Sequence, residues 1–431
     1  MNTALSQQDT ISLIFSLGVL LIVARLVGEF FRKFKMPLVV GELIAGICLG
    51  PSLLGHYFPN ISMLVLNQHS NSMIAFNGIT AISVIMLLFV AGMEVDLSII
   101  RQQGKTALKT SFLGLIIPLA IGFLVAYYYY PLFGEYFTSS SKLILFSLFF
   151  GTALAVSALP IIARTLMDLG LFRSKVGMII IVAAMFDDIV GWLLFSVILG
   201  MLKINSHSHG FLFTLGLTIL YSVAMLTVGR IIINKSLPWA QKNFSWPGGF
   251  LSLSLGLAFL GAAFTEFIGI HAIFGAFIVG IAFGDSVHLT EKTREIVNQF
   301  VTNIFAPLFF VSIGFKVDFF ANFDLQITLL VLVLAIATKL IGAGLGAFWG
   351  GLTKQESLAV GFGMNARGAM GIILAILALQ ADLINEKLFV AIVIMAVITS
   401  IMAGPALQLL VKRQIDKEQD DLEKEQDDMF V

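Results

Sequence analysis

Long apolar runs separated by short polar segments dominate the chain from residue 10 to residue 411. A run of about 20 apolar residues in an α-helix crosses the hydrocarbon core of a bilayer. The alternating apolar and polar positions of a membrane β-barrel are absent, and the runs are too long for barrel strands. The pattern predicts an all-α, multi-pass membrane protein with about 13 transmembrane helices. The predicted spans are 10–31, 38–55, 73–95, 107–131, 143–167, 176–202, 211–233, 249–268, 271–285, 298–315, 325–350, 356–380 and 386–411.

The ninth and tenth spans are the weakest part of this assignment because both are short. Only Gly269 and Ile270 separate the eighth span from the ninth. A single broken helix is therefore the alternative interpretation of residues 249–285.

Composition supports a membrane protein and excludes several other classes. The 431 residues are 58% hydrophobic and 12% charged, with a mean hydropathy of +0.96, and a soluble domain could not bury that much apolar surface. The formal net charge is zero, so we expect no nucleic-acid partner. The single cysteine, Cys48, excludes an internal disulfide.

The ends of the chain carry two further expectations. The first ten residues lack the basic region and cleavage site of a signal peptide, so we expect the first apolar run to be retained. Residues 412–431 carry many charges of both signs and predict a short cytoplasmic tail, either a solvated helix or a disordered end.

Basic residues are distributed unequally between the two sets of loops. If the N-terminus is outside, the cytoplasmic loops and tail carry 18 lysines and arginines, whereas the opposite loops carry only Lys142, Lys203, Lys316 and Lys387. Cytoplasmic loops of membrane proteins are enriched in these residues. The bias predicts an external N-terminus and a cytoplasmic C-terminus. Four bases remain within spans: Arg25, Arg164, Lys339 and Arg367.

Two adjacent acids lie inside the sixth apolar run. Asp187 and Asp188 stand in the sequence AAMFDDIVGWLL, residues 183–194. An ionisable residue at mid-membrane costs roughly 2.5–3.5 kcal/mol on insertion scales, and such residues are usually functional. We interpret the pair as an ion-binding site. The alternative is a structural acid pair neutralised by a base elsewhere in the bundle.

Helix-breaking residues interrupt the fifth and twelfth spans at matching positions. The fifth contains GTALAVSALP, residues 151–160, and the twelfth contains GFGMNARGAMG, residues 361–371. Backbone groups freed by such breaks must line a cavity or face protein, because lipid cannot bond to them. Paired broken helices are typical of inverted-repeat transporters. The alternative is a pair of ordinary glycine kinks.

The breaks predict a domain organisation for the membrane unit, residues 1–411. The first repeat covers 10–202, a connector helix covers 211–233, and the second repeat covers 249–411. An odd number of spans separates corresponding elements, so the repeats have opposite topology. We expect the substrate site where the two discontinuous helices cross.

A buried base in the eleventh span is the expected partner of one acid. Neighbouring residues on a helix point about 100° apart, so Asp187 and Asp188 cannot face the same point. Lys339 lies mid-span in ATKLIGAGLGA and needs an anion if it is buried. We hypothesise that Asp187 pairs with Lys339 and that Asp188 is free to bind a cation or a proton. The alternative is that Lys339 reaches a membrane surface.

Other polar residues in the spans rank lower. Near the breaks we expect supporting roles for Thr152, Ser157, Asn365 and Arg367. Acids close to predicted span ends are expected to be solvated; they are Glu42, Glu94, Asp96 and Glu266. Glu266 is alternatively expected to line an entrance together with His271. The small residues after Lys339 favour close helix packing over a phosphate loop, since no strand precedes them. His207 and His209 alone do not make a metal site.

Several segments together resemble one transporter family. They are VGELIAGICLGPSLLG (40–55), LLFVAGMEVDL (87–97), GTALAVSALPIIARTLMDLGL (151–171), FDDIVGW (186–192) and GIHAIFGAFIVGIAFGD (269–285). Their residues and order resemble the monovalent cation–proton antiporters of family 2, most of all the plant cation/proton exchanger branch and its bacterial relatives. The resemblance covers nearly the whole membrane unit.

The resemblance implies a thirteen-helix fold with a core domain of crossed broken helices and a dimerisation domain, as a homodimer in the bilayer, here a bacterial inner membrane. It also implies that Asp188 matches the ion-binding aspartate, Asp187 its acidic neighbour, and Lys339 the lysine that pairs with the neighbour in electrogenic members. Many exchangers carry Asn at the position of Asp187, and the glutathione-gated potassium-efflux branch carries Gln there. This chain differs from both groups because it carries Asp187 at that position, and both differences favour an electrogenic sodium–proton antiporter.

The expected function is therefore secondary active exchange of Na⁺ for H⁺ by alternating access, without enzymatic activity or a cofactor. A K⁺/H⁺ antiporter is the alternative within the class, and a cation channel is a less favoured alternative outside it. An intramembrane aspartyl protease is disfavoured because adjacent acids cannot readily converge on one water.

Overall fold

The computed structural model describes most of the chain, and the described residues are helical apart from short turns and bends. These residues are 5–34, 36–61, 71–95, 104–133, 143–169, 171–172, 174–203, 211–244, 247–268, 270–286 and 288–429. The predicted all-α fold is confirmed over these ranges. His207, His209 and Asp96, considered above, lie outside them.

Seventeen helices longer than one turn are defined within the described ranges, together with three π-helical segments. The helices are α1 Gln7–Lys33, α2 Leu38–Leu49, α3 Asn71–Met93, α4 Gly104–Tyr128, α5 Leu143–Ala155, α6 Leu159–Asp168, α7 Lys175–Lys203, α8 Phe211–Ala224, α9 Arg230–Asn243, α10 Gly248–Phe267, α11 Ala272–Gly284, α12 Glu291–Phe300, α13 Ala306–Lys316, α14 Leu325–Trp349, α15 Lys354–Gly363, α16 Gly368–Gln380 and α17 Glu386–Met429. The π segments are Pro51–Gly55, Met225–Gly229 and Val301–Phe305.

Ten continuous helical stretches in the described part of the chain are long and apolar enough to cross a membrane. Three shorter apolar helices accompany them: α5, α11 and the stretch Met370–Gln380. The multi-pass membrane assignment is therefore confirmed. Helices α10 and α11 are separate, and His271 caps the second of them by accepting from the amide of Ile273. A side chain at Gly275 of α11 would meet the backbone carbonyl of Gly261 in α10, so the two helices pack side by side, which decides against a single broken helix there.

Three element bounds differ from the sequence prediction. The tenth span, expected to begin at residue 298, begins at Glu291, because the polar first turns of α12 do not register in hydropathy. The connector, expected to end at residue 233, continues through the π segment into α9 and ends at Asn243. Polar residues such as Lys235 and Lys242 are compatible with a helix that has left the apolar core, although hydropathy alone assigns them to a loop. The charged tail continues α17 to Met429, in agreement with the helical alternative for this segment.

The chain divides into two compact units. The first comprises residues 1–98, 192–324 and 376–390, and the second comprises 99–191, 325–375 and 391–431. Each unit takes segments from both proposed repeats. The repeat assignment itself remains a prediction.

In the first unit, glycines let helix backbones approach closely. A side chain at Gly46 of α2 would meet the backbone of Val311 in α13, so only glycine fits this crossing. At one end of the unit, Arg294 of α12 donates to the carbonyls of Met93 and Gly284. These are the last residues of α3 and α11, so one guanidinium caps both helices.

In the second unit, α14 packs against α4 through the small-residue run that follows Lys339. A side chain at Gly342 or Gly346 would collide with the backbone carbonyl of Leu113 or Lys109. The packing role predicted for these glycines is confirmed. Their close approach brings the middle of α14 next to the middle of α4.

The two broken helices cross within this second unit. The first break separates α5 from α6 at residues 156–158, and the second separates α15 from α16 at residues 364–367. The amide of Ala158 donates to the carbonyl of Ala366 over 2.8 Å. Each break thus satisfies part of the other's backbone, as the hydrocarbon environment requires.

Candidate functional site

The acid pair lies on α7 and is removed from solvent. Asp187 is fully buried, and Asp188 is 2% exposed. A charged group in such surroundings must be neutralised by an ion-pair partner or by a bound ligand. The two aspartates solve this problem differently.

Asp187 is held by three side chains from three other elements. Its Oδ2 lies 2.5 Å from the ammonium nitrogen of Lys339 on α14. The hydroxyl of Ser111 on α4 donates to Oδ1 over 2.9 Å. The hydroxyl of Ser157, in the first break, lies 3.0 Å from Oδ2. The carboxylate is therefore surrounded by donors.

Lys339 is fixed by more than its acid partner. Its ammonium also donates to the carbonyl of Gly114 over 3.0 Å and to that of Ala155 over 2.5 Å. Three acceptors use all three ammonium hydrogens. Ala155 ends α5, so the lysine neutralises the negative end of that helix dipole as well as Asp187.

Arg367, in the second break, supports the same helix end. It is fully buried and donates to the carbonyl of Leu154 over 2.5 Å and to that of Ala335 over 2.9 Å. A further bond of 2.5 Å goes to Oδ1 of Asn365. The last two carbonyls of α5 thus face two cations, and Arg367 supports the first break by neutralising this helix end.

Asp188 has a different environment. The backbone amide of Leu159, the first residue of α6, favours its ionised carboxylate electrostatically, so the carboxylate lies near the positive end of a helix dipole. Its Oδ1 atom is buried without a hydrogen-bond partner among the described residues. An unpaired buried oxygen costs about 1–3 kcal/mol. A proton or a dehydrated cation would satisfy it.

The other predicted residues fall into three groups. Ser157 reaches the acid pair directly. Asn365 and Arg367 act on the crossed breaks through the bond between them. Thr152 is not brought to the acids, because its hydroxyl donates to the carbonyl of Leu148 one turn earlier in α5 over 2.7 Å, as threonine commonly does inside a helix.

Sequence reasoning missed Ser111. It stands in an unbroken span without a neighbouring glycine or proline, and serine is frequent in membrane helices. Only its position facing α7 distinguishes it from other serines. The Gly114 carbonyl, which binds Lys339, lies about one helical turn further along α4, but the sequence alone does not reveal that contact.

Several lower-ranked residues have local roles. Glu42 was expected near a solvated span end, but it is buried at 7% exposure. Glu266 accepts from the amide of Ala272 over 2.9 Å and so caps α11. Glu94 accepts from Asn298 over 2.9 Å just beyond the end of α3, and burial raises the pKa of its carboxyl.

The sequence profile of the family described as "Sodium/hydrogen exchanger, transmembrane" matches residues 18–413. The protein belongs to this family. Its members are transporters, and the match includes both broken helices and the acid pair. The resemblance recognised from the five motif segments is therefore confirmed.

Curated relatives agree with this assignment. The Na⁺/H⁺ antiporter NhaS4 of Synechocystis is 32% identical over 92% of this chain and 97% of its own length. Cation/H⁺ antiporter 17 of Arabidopsis thaliana and K⁺/H⁺ antiporter 1 of Saccharomyces cerevisiae are each 28% identical over 93% and 92% of the chain. The exchanger spans 48% of the plant relative and 46% of the yeast relative.

A solved structure shares the fold. The sodium proton antiporter MjNhaP1 of Methanocaldococcus jannaschii aligns with a TM-score of 0.65 at 19% identity, covering 94% of the exchanger and 99% of the antiporter chain. The predicted sodium/proton antiporter fold, with its discontinuous helices, is confirmed by this match.

Proposed function

We propose that the exchanger is a secondary active antiporter that moves monovalent cations, Na⁺ before K⁺, against protons by alternating access. The observation that carries the proposal is the unpaired Oδ1 of Asp188, buried beside a fully bonded Asp187. One acid is neutralised by the protein, and the other needs a ligand from outside.

Competition at Asp188 couples the two substrates. An empty carboxylate is costly away from water, so the protein changes conformation chiefly with the site loaded. A proton and a cation cannot neutralise the same oxygen at once. Release of one substrate on one face therefore precedes binding of the other, and a gradient of either drives the second uphill.

The Asp187–Lys339 pair supports an electrogenic cycle. If the pair opens and exchanges a proton in each turnover, more than one proton moves for each cation. The carbonyls of Gly114 and Ala155 accept from the same ammonium. They support such opening, since the lysine keeps these two bonds when it leaves the acid.

A K⁺/H⁺ antiporter is the second candidate, favoured by the yeast relative that carries this name. The same carboxylate chemistry serves either cation. A channel is a third possibility in principle, but a simple pore cannot move a cation uphill at the expense of a proton gradient.

We further propose the arrangement in the membrane. The bias of lysine and arginine supports an external N-terminus and a cytoplasmic C-terminus. The bacterial full-length relative supports a bacterial inner membrane. Residues 10–202 and 249–411 are proposed as inverted repeats joined by the connector, and a homodimer is the proposed assembly.

The test uses everted membrane vesicles that hold a pH-sensitive dye. After respiration acidifies the lumen, added Na⁺, K⁺ or Li⁺ should each dequench the dye in proportion to its transport. Wild type should respond to Na⁺, and Asp188→Asn should not, although its abundance in the membrane stays normal. A full response by Asp188→Asn would overturn the proposal.

A further inference from the structure

The hydroxyl of Ser157 has two acceptors within reach and only one hydrogen to donate. Its Oγ lies 3.0 Å from Oδ2 of Asp187 and 2.8 Å from the backbone carbonyl of Met364. A serine hydroxyl carries a single proton and can donate to one of these acceptors at a time. Ser157 itself is fully buried, so water does not replace its hydroxyl at the acceptor to which it is not donating.

The two acceptors belong to the two halves of the site. Asp187 is the neighbour of the proposed ion-binding aspartate, whereas Met364 begins the second break, just after α15. A hydrogen bond donated to an ionised carboxylate is stronger than one donated to a neutral carbonyl. The choice of the hydroxyl therefore depends on how well other groups satisfy Asp187.

The position of Lys339 determines whether the Asp187 carboxylate needs a hydrogen bond from Ser157. While its ammonium lies on Oδ2 of Asp187, the carboxylate has its strongest donor and Ser157 can donate to Met364. A cation bound at the adjacent Asp188 repels this ammonium, which remains held by the carbonyls of Gly114 and Ala155 when it leaves Asp187. Oδ2 then lacks a donor, and the hydroxyl of Ser157 turns to it and leaves the Met364 carbonyl.

We propose that Ser157 is a positioning residue that transmits occupancy of the acid pair to the second helix break by exchanging one hydrogen bond between Asp187 and Met364. The inference rests on the proposed cation site at Asp188. Charged groups around the exchange are Asp187 and Asp188 on α7, Lys339 on α14 and Arg367 in the second break. Among the described residues, Ser111 donates to Oδ1 of the same carboxylate and bonds to no group of that break.

Hydrogen exchange measured by mass spectrometry on the purified full-length protein tests this role. Peptides covering 361–371 and 183–194 are followed with and without Na⁺ at fixed pH and ionic strength, with choline as the replacement cation. In wild type we expect Na⁺ to speed exchange at least twofold in 361–371, because the Met364 carbonyl loses its side-chain donor and the break loosens.

The variants separate transmission from binding. In Ser157→Ala the Na⁺ effect on 361–371 should disappear while the effect on 183–194 remains. Ser157→Thr keeps a hydroxyl and should restore the response. Ser111→Ala is the matched control, since it removes a hydroxyl from the same carboxylate, and it should keep the response of 361–371.

Transport kinetics add a second readout. Ser157→Ala should lower the maximal exchange rate at least fivefold with the KM for Na⁺ changed less than twofold, because binding at Asp188 is retained. Equal responses of Ser157→Ala and wild type in 361–371 would overturn the inference. The inference would also be overturned if wild type transported Na⁺ without any change in hydrogen exchange of that peptide. This test does not depend on the folding of any variant. A wild type that moves no Na⁺, K⁺ or Li⁺ against protons would instead refute the proposed function.

Discussion

Removal of the Lys339 ammonium should destabilise the exchanger more than almost any other single change. In Lys339→Ala, Asp187 keeps only the two serine hydroxyls, and the carbonyls of Gly114 and Ala155 lose a buried donor. Breaking a buried ion pair by removing one partner costs about 3–5 kcal/mol. Each unsatisfied carbonyl adds about 1–3 kcal/mol where no other donor replaces the ammonium.

The assay is thermal unfolding of the purified protein in a mild detergent, followed by intrinsic fluorescence. A loss of this size corresponds to a fall in Tm on the order of 10 °C. The surface variant Lys242→Ala should melt like wild type, because this side chain is exposed. The double variant Asp187→Asn with Lys339→Gln should recover at least half of the loss, since no unpaired charge remains.

Two outcomes would refute this reasoning. If Lys339→Ala melts within about 2 °C of wild type, the ammonium does not hold the site together. If the double variant is as unstable as the single one, the loss comes from the helix-end carbonyls and not from the unpaired carboxylate. In the second case, Lys339 acts as a cap of α5 more than as the partner of Asp187.

Two further predictions concern the second break and the end of α3. Gly368→Ala should slow transport and lower expression, because Gly368 has φ of +41°, where a side chain is strained, and an added Cβ would displace the methyl end of Ile161, which lies 1.9 Å away. Gly371→Ala, whose Cβ would meet nothing closer than 3.6 Å, should behave like wild type, and equal activity of the two variants in the dye assay would contradict this. Because burial raises the pKa of Glu94 in the folded protein, its contribution to stability is complete below the unfolded pKa and is lost as pH rises through the folded pKa. Glu94→Gln should therefore raise Tm increasingly from acidic to neutral pH, and a constant Tm difference between the two proteins from pH 4 to pH 8 would contradict the assignment.

Much of the fold follows from the sequence because the bilayer imposes a one-dimensional constraint. A span must be long, apolar and helical, so hydropathy alone locates the helices to within a few residues. The exceptions have a physical reason: α9 extends the connector where the chain leaves the apolar core, and there polarity no longer distinguishes a helix from a loop. The acid pair and the two breaks are also visible in the sequence, since charge and free backbone groups are costly in lipid.

The sequence by itself determined that Asp187, Asp188 and Lys339 had to be buried together or satisfied elsewhere. Only the tertiary structure decided which oxygen meets which donor, because helix rotation and the glycine-mediated approach of α14 to α4 set these contacts. For the same reason Ser111 came to the acid pair and Thr152 did not, although both are small hydroxyl residues in apolar helices. A bond between side chains depends on distance in space, and spacing along the chain fixes that distance only within one helix.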